Sequence, residues 1–178
     1  MKFGLLLLTL SFFTSTTMDK IYTFSAQSDL TEWRIVNDGV MGGVSTSSIS
    51  LTQAGHGQFS GQVSLANNGG FASVQLNKTI AITEGKKWVV LHVKGDGKRY
   101  EFRLKSDTSQ NESYVQPFVT SGKWETIKLP ITAFNPQFRG RLLNLPSFNF
   151  NRIEQLSFFI ANKQAQDFTL VIDWIGLE

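Results

Sequence analysis

Residues 88–104 read WVVLHVKGDGKRYEFRL, two strand-like segments separated by a glycine-rich turn. The first segment is almost continuously apolar, whereas from Tyr100 onward apolar residues alternate with charged ones. A side-chain period of two is typical of a β-strand with one buried face. The Asp96-Gly97 pair favours a tight hairpin turn, because both residues tolerate positive φ. The stretch therefore predicts two strands that pair with each other.

Strand-like patterns recur along the rest of the chain, at residues 59–65, 124–129, 156–160 and 168–175. Outside the N-terminal apolar run, no window of a dozen residues carries the apolar stripe of an amphipathic helix. The sequence contains fifteen Phe, four Trp and three Tyr, which also indicates β structure, because aromatic residues are favoured on half-buried strands. We predict an all-β fold, a two-sheet antiparallel jelly-roll sandwich.

The four tryptophans each lie within a strand-like pattern, and we expect each of them to pack in the core. The alternative is that their rings form exposed surfaces on which sugars stack. In the last strand, the alternation places Phe168, Leu170, Ile172 and Trp174 on one face. The tryptophans are Trp33, Trp88, Trp124 and Trp174.

The composition limits the classes of function. A chain of 178 residues accommodates one ordinary domain. Cysteine is absent, which excludes disulfides, thiolate metal sites and a cysteine nucleophile. The formal net charge is +3 and no window is densely basic, so we expect no nucleic-acid partner.

The N-terminus carries Lys2 and then an apolar run over residues 3–13, which resembles a secretory signal peptide and is too short to span a membrane. We interpret residues 1–17 as a signal peptide; the alternative is that translation starts at Met18. Both interpretations predict a single domain over residues 18–178 without a transmembrane segment. The protein is exported or periplasmic if the leader is cleaved, and cytoplasmic otherwise.

The main candidate site is the segment NDGVMGGVS, residues 37–45. Three glycines in five positions after Asn-Asp indicate a sharp turn, exposed amides or a close backbone approach. The segment lacks the P-loop pattern, so it does not predict a phosphate site. Two interpretations remain, a structural turn between early strands and a surface that binds a partner or ligand. The candidate binding residues are Asn37, Asp38, Gly39, Met41, Gly42, Gly43, Asn68, Gly69, Gly70, Asp96 and Arg139.

The sequence offers little for catalysis. Its only histidines, His56 and His92, lack the short spacing of a metal site, and no Gly-x-Ser-x-Gly elbow is present. We interpret the carboxylates at turns and on strand faces as solvated charges. We therefore predict a non-catalytic protein without a metal or cofactor. The carboxylates concerned are Asp38, Asp96, Glu101 and Asp173.

Five stretches together resemble the complex I intermediate-associated protein family: Trp33 with residues 37–45, and residues 59–61, 68–73, 95–100 and 168–175. The similarity runs in order from about Ile21 to Glu178 and suggests a bacterial member. It implies a galactose-binding-domain-like β-sandwich with no established catalytic residues.

The resemblance also implies two kinds of partner. Mitochondrial members are assembly chaperones for respiratory complex I, the NADH:ubiquinone oxidoreductase, so a protein partner such as a respiratory complex subunit is expected. Related sandwich domains bind carbohydrate, so a carbohydrate-binding module of the cell envelope is the alternative. A cleaved leader favours the second role, and a start at Met18 favours the first.

The two roles predict different surfaces. A sugar binder should expose a Trp or Tyr ring beside polar groups. A docking module should expose an apolar patch, to which we expect the segment 37–45 and the long loop of residues 134–149 to contribute. Within that loop, Phe138 or Phe148 is the expected contact residue.

Overall fold

The computed structural model describes residues 17–178, so of the predicted leader only Thr17 falls within it. The described chain is all-β, as predicted, with four short 3-10 turns at Leu30–Glu32, Asp38–Met41, Ala66–Asn68 and Ile131–Ala133. None of its helical segments is long and apolar enough to cross a membrane. The strands are β1 (Asp19–Thr23), β2 (Trp33–Ile35), β3 (Thr46–Leu51), β4 (Gly57–Val63), β5 (Ala72–Ala81), β6 (Trp88–Lys94), β7 (Arg99–Lys105), β8 (Ser113–Val119), β9 (Trp124–Pro130), β10 (Asn135–Phe138), β11 (Arg141–Leu142), β12 (Arg152–Ile160) and β13 (Gln166–Leu177).

The strands form two antiparallel sheets packed face to face, which confirms the predicted jelly-roll sandwich. The six-stranded sheet has the order β3-β4-β13-β6-β9, and β1 pairs with β13. The first half of β13 pairs with β4 and its second half with β1. The seven-stranded sheet has the order β11-β10-β8-β7-β12-β5-β2.

Aromatic side chains fill the space between the sheets. Phe102 packs edge to face on Phe158 with ring centroids 5.0 Å apart, and Phe59 lies 4.8 Å from Phe168. Such pairs add to the hydrophobic stabilisation of the buried rings. The large phenylalanine content of the sequence is thus explained by the core. Its largest fully buried side chains are Tyr100, Phe59, Phe102, Phe134, Phe148 and Phe158.

The predicted β6–β7 hairpin is wrong. β6 lies in the six-stranded sheet and β7 in the seven-stranded one, so residues 95–98 carry the chain from one sheet to the other. Residues 64–71 join β4 to β5 in the same way, and residues 36–45 join β2 to β3. The glycines allow tight packing at these crossings, since a Cβ at Gly95 would lie 2.3 Å from Thr120 Oγ1.

The face predicted for Trp174 is also wrong, because β13 contains a β-bulge. Ile172 pairs with Val93 but Trp174 pairs with His92, which leaves Asp173 as the extra residue. A bulge moves the following side chains to the opposite face. The core face therefore continues at Ile175, and Trp174 packs on the outer face against His92.

Two further predictions about aromatic residues are corrected. Trp33 is buried as expected, but Trp124 is exposed at the start of β9 and Trp88 is only half-buried. The loop of residues 134–149 contains the β10–β11 hairpin, and Phe148 packs in the core. Phe148 therefore cannot contact a partner, whereas Phe138 is exposed.

Candidate functional site

The segment of residues 37–45 is organised around the side chain of Asp38. The sequence predicted a solvated carboxylate here, but Asp38 is fully buried. Its carboxylate accepts hydrogen bonds from Ser45 N at 2.9 Å and Ser45 Oγ at 2.5 Å. It also accepts from Gly70 N at 2.6 Å and Phe71 N at 3.3 Å. One side chain therefore joins the loop before β3 to the loop before β5.

The carboxylate of Asp38 is held as an anion. Burial by itself would raise the pKa of Asp38, but the hydrogen bonds from Ser45, Gly70 and Phe71 outweigh burial and lower that pKa from its ordinary value of 3.8. A buried carboxylate with this many donors stabilises the anionic form and orders the backbone that supplies them.

The lowered pKa predicts an acid-dependent contribution to stability. Because the folded-state pKa is depressed, the contribution of Asp38 is fully present above 3.8 and is lost as pH falls through the lower pKa of the folded state. The difference in free energy of unfolding between the wild type and Asp38→Asn should shrink as the pH falls below 3.8. Urea titrations across this pH range measure it, and a difference that stays constant would contradict the assignment.

Two of the candidate glycines are required by the close approach of Asp38. A Cβ at Gly43 would lie 2.4 Å from Asp38 Cγ, and one at Gly69 would lie 2.5 Å from Asp38 Oδ2. Gly42 has a φ of +91°, the left-handed conformation that ends the 3-10 turn. Gly39, by contrast, has no atom within 4 Å of its Cβ position.

Asn37 and Ser45 complete the connection between the two loops. Asn37 Oδ1 accepts from Ser47 Oγ at 2.7 Å and from Ser73 N at 3.4 Å. Ser45 Oγ accepts from Ser64 N at 2.9 Å. The candidate residues from Asn37 to Gly43 and from Asn68 to Gly70 therefore come together in one hydrogen-bonded structure.

This structure holds a group of apolar side chains out in solvent. We call them the apolar loop patch, and they come from both of the connected loops. Isolated exposed apolar residues are ordinary, but these four lie on two loops that the Asp38 carboxylate joins. The patch consists of Val40 (70% exposed), Met41 (57%), Val44 (51%) and Leu65 (45%).

Next to the patch, an aromatic cluster lies on the outer face of the seven-stranded sheet. The rings of Phe71 and Phe159 stack with centroids 5.1 Å apart. The guanidinium of Arg103 lies 3.3 Å above the centre of the Phe159 ring and pairs with Glu101 at 2.6 Å. Burial lowers the pKa of Arg103, and the Glu101 carboxylate opposes this shift.

Asp96 lies apart from the Asp38 structure and has a structural role at the β6–β7 crossing. Its carboxylate accepts from Tyr100 Oη at 2.9 Å, Thr169 N at 3.0 Å and Lys98 Nζ at 2.6 Å. Burial would raise the pKa of Asp96, but these hydrogen bonds lower it. Asp96 thus links β7 and β13, which belong to different sheets.

Arg139 lies at the tip of the β10–β11 hairpin with a φ of +49°, and its guanidinium is over the Phe138 ring. β10 and β2 are near opposite edges of the seven-stranded sheet, with β8, β7, β12 and β5 between them. The segment 37–45 and the loop 134–149 therefore do not form one contiguous surface, contrary to the expectation from the sequence.

A second constellation was missed by the sequence analysis. Both histidines of the chain converge on the bulged Asp173 on the outer face of the six-stranded sheet, with His92 Nδ1 2.8 Å and His56 Nδ1 3.4 Å from its carboxylate. Trp124 and Trp174 flank His92. The sequence carried no signal of the bulge, because Trp174 continues the regular alternation of Phe168, Leu170 and Ile172.

No group of three or more His, Cys, Asp or Glu side chains that could hold a metal ion occurs among residues 17–178. The loop patch offers apolar contact, and the histidine cluster offers aromatic stacking and hydrogen bonding.

The fold is that of known carbohydrate-binding sandwiches. A family 11 carbohydrate-binding module from Clostridium thermocellum, solved with a β-1,3-1,4-mixed-linked tetrasaccharide, superposes with a TM-score of 0.64 at 16% identity, covering 92% of this chain and 96% of that one. A family 29 carbohydrate-binding module gives a TM-score of 0.54 at 10% identity, covering 92% of each chain. The chain thus has a galactose-binding-like β-sandwich fold.

The family model of Complex I intermediate-associated protein 30 matches residues 22–172. The chain belongs to that family, as the sequence motifs predicted. The mitochondrial Complex I intermediate-associated protein 30 of Drosophila melanogaster is 29% identical over 185 residues, which cover 90% of this chain and 62% of the fly protein. A probable Caenorhabditis elegans counterpart is 28% identical, over 88% of this chain and 53% of its own length. The chain thus spans about half to three-fifths of these relatives.

Proposed function

We propose that the chain is a non-catalytic docking module that acts in the assembly of respiratory complex I and binds a protein partner through the apolar loop patch. The observation that carries this proposal is the exposure of four apolar side chains on loops fixed by a buried carboxylate. The names of the curated relatives, complex I intermediate-associated proteins, support the identity of the partner.

The order of the loops favours binding. A loop that is already fixed loses little conformational freedom when it docks, so more of the contact energy appears as affinity. The loops are fixed by the hydrogen bonds of Asp38, Asn37 and Ser45. The side chains of Val40 and Met41 take no part in these hydrogen bonds and are exposed to solvent. Structural and contact roles are thus divided between neighbouring residues of one motif.

The character of the patch favours a protein partner over a sugar. Its four members are aliphatic or thioether side chains, which fill apolar pockets but offer no flat ring and no hydrogen-bonding group. Apolar contact surrounded by polar loop backbone is the usual composition of a protein interface core. The adjacent Phe71, Phe159 and Arg103 cluster extends the surface with residue types that are enriched at interfaces.

The docking role is tested by placing charge in the patch. The experiment uses cells of the source organism that lack the native gene, in which we expect tagged wild-type protein to co-purify with subunits of complex I. The Val40→Glu/Met41→Glu double variant should recover at least about tenfold less of these subunits, because docking would bury a carboxylate without a partner. The melting temperature should change little, since both side chains are exposed.

Leu142→Glu is the matched control. Leu142 is 69% exposed, like the patch residues, but it lies on β11, at the edge of the seven-stranded sheet opposite to β2. This variant should recover the same amount of complex I subunits as the wild type. The proposal is wrong if the wild type recovers no complex I subunit, or if the double variant recovers as much as the wild type.

A further inference from the structure

The two histidines and Asp173 form a compact polar cluster on the outer face of the six-stranded sheet, in which His92 is hydrogen-bonded to Asp173 and His56 lies close to the same carboxylate. His92 comes from the middle of β6, His56 from the turn between β3 and β4, and Asp173 from the bulge in β13. Each imidazole directs Nδ1 at a different oxygen of the carboxylate. All three side chains are about one quarter exposed, so the cluster is open to solvent.

The Asp173 carboxylate binds Nδ1 of His92 at 2.8 Å and lies 3.4 Å from Nδ1 of His56. A neutral imidazole that donates its Nδ1 proton to Asp173 has an unprotonated Nε2, which is a hydrogen-bond acceptor. No hydrogen bond to either Nε2 is found within residues 17–178, where each histidine uses its ring only through Nδ1. Each Nε2 is thus open to a ligand hydroxyl, which both donates and accepts hydrogen bonds.

Aromatic rings border these imidazoles. The His92 ring stacks between Trp124 at 5.0 Å and Trp174 at 5.4 Å, with interplanar angles of 22° and 20°. His56 approaches Trp124 edge to face at 4.8 Å. Trp174 is buried and covered by the Lys20 ammonium, whereas Trp124 has one face stacked on His92 and is 40% exposed, which leaves part of its indole ring open to solvent.

From this arrangement we infer that Trp124, His56, His92 and Asp173 form a binding site for a neutral saccharide. A pyranose ring has a flat face of C–H groups that packs on an exposed indole, and hydroxyl groups that hydrogen-bond to imidazole nitrogens. An apolar surface with a few convergent polar groups is the usual composition of a small-ligand site. A bound metal ion is less well supported, because the cluster lacks a metal-binding set of three ligands within the described chain.

The site is separate from the apolar loop patch. His56 follows β3 at the end remote from Val44, and the six residues of β3 span about 20 Å. The saccharide site also lies on the outer face of the six-stranded sheet, whereas the Phe71 and Phe159 cluster lies on the seven-stranded one. Saccharide binding and protein docking can therefore succeed or fail independently.

Calorimetric titration of the full chain with cellohexaose, laminarihexaose and chitohexaose tests the inference. We expect at least one of them to bind. Trp124→Ala should weaken that binding at least about tenfold, equivalent to about 1.4 kcal/mol. His56→Ala should also weaken it, and because His56 lies in a turn its replacement should leave the fold intact. Phe138→Ala is the matched control, since Phe138 is 39% exposed at a distant hairpin, and it should bind like the wild type.

Three results would overturn the inference. The first is that none of the oligosaccharides binds. The second is that Trp124→Ala binds as tightly as the wild type while its melting temperature is unchanged. The third is that the wild type binds Zn²⁺ but no saccharide, and that His56→Ala no longer binds Zn²⁺. The cluster would then be a metal site.

Discussion

Replacing Asp38 with alanine is expected to lower the melting temperature by roughly 10 °C, because a domain of this size loses about 2–4 °C for each kcal/mol. The substitution leaves the buried or partly buried donors of Ser45, Gly70 and Phe71 without their acceptor. Each orphaned buried donor costs about 1–3 kcal/mol, so the total loss should reach at least about 3 kcal/mol. Thermal unfolding followed by circular dichroism measures the change.

Asp167→Ala is the control for this variant. Asp167 is exposed on β13 and accepts a single hydrogen bond from Gln62, so its replacement should leave the melting temperature nearly unchanged. If Asp38→Ala kept the wild-type melting temperature but lost partner binding, Asp38 would be a contact residue and our structural interpretation of the motif would be wrong.

The second large effect is expected at Gly43. An alanine Cβ there would lie 2.4 Å from Asp38 Cγ and 2.4 Å from Asp38 Oδ1, so the carboxylate must leave its hydrogen-bonded position. Overpacking alone costs about 1–3 kcal/mol, and displacement of the hydrogen bonds adds to it. We therefore expect Gly43→Ala to destabilise the protein almost as much as Asp38→Ala.

Gly39→Ala provides the comparison within the same motif. Gly39 has a φ outside the left-handed region and open space around its Cβ position, so alanine should be tolerated or slightly stabilising. Urea unfolding of the two alanine variants distinguishes these cases. Equal stability of Gly39→Ala and Gly43→Ala would show that Asp38 does not occupy the space beside Gly43.

The sheet architecture could be predicted because strand periodicity is a local property. The alternation of Tyr100, Phe102 and Leu104 places the same residues in the core that the structure buries. Which of the two sheets each strand joins could not be predicted in this way. Gly95-Asp96-Gly97 has the composition of a hairpin turn and of a sheet crossing, and only the distant contacts to Thr120 and Thr169 distinguish the two.

The candidate site was located from sequence but its chemistry was not. The glycines correctly indicated a close approach in segment 37–45, but the group they approach is the side chain of Asp38, whose donors at Gly70 and Phe71 lie over thirty residues away. Aspartate is usually exposed, so its burial could be inferred only from those long-range partners.

The histidine cluster escaped prediction for a related reason. A single bulge at Asp173 turns Trp174 out of the core and directs the carboxylate at two histidines that are distant in sequence. The metal-site motifs that a sequence reveals depend on short spacing between their ligands. A site assembled from a turn, a strand and a bulge has no such spacing.

The most direct test of the docking role is photo-crosslinking in the source organism, with a photoreactive residue at Met41 and, as control, at Glu84. Glu84 is exposed beyond the far end of β5, whose ten residues span about 33 Å. We predict that position 41 forms an adduct with a subunit of complex I and that position 84 does not. No such adduct at position 41, or the same adduct at both positions, would contradict docking through the apolar loop patch.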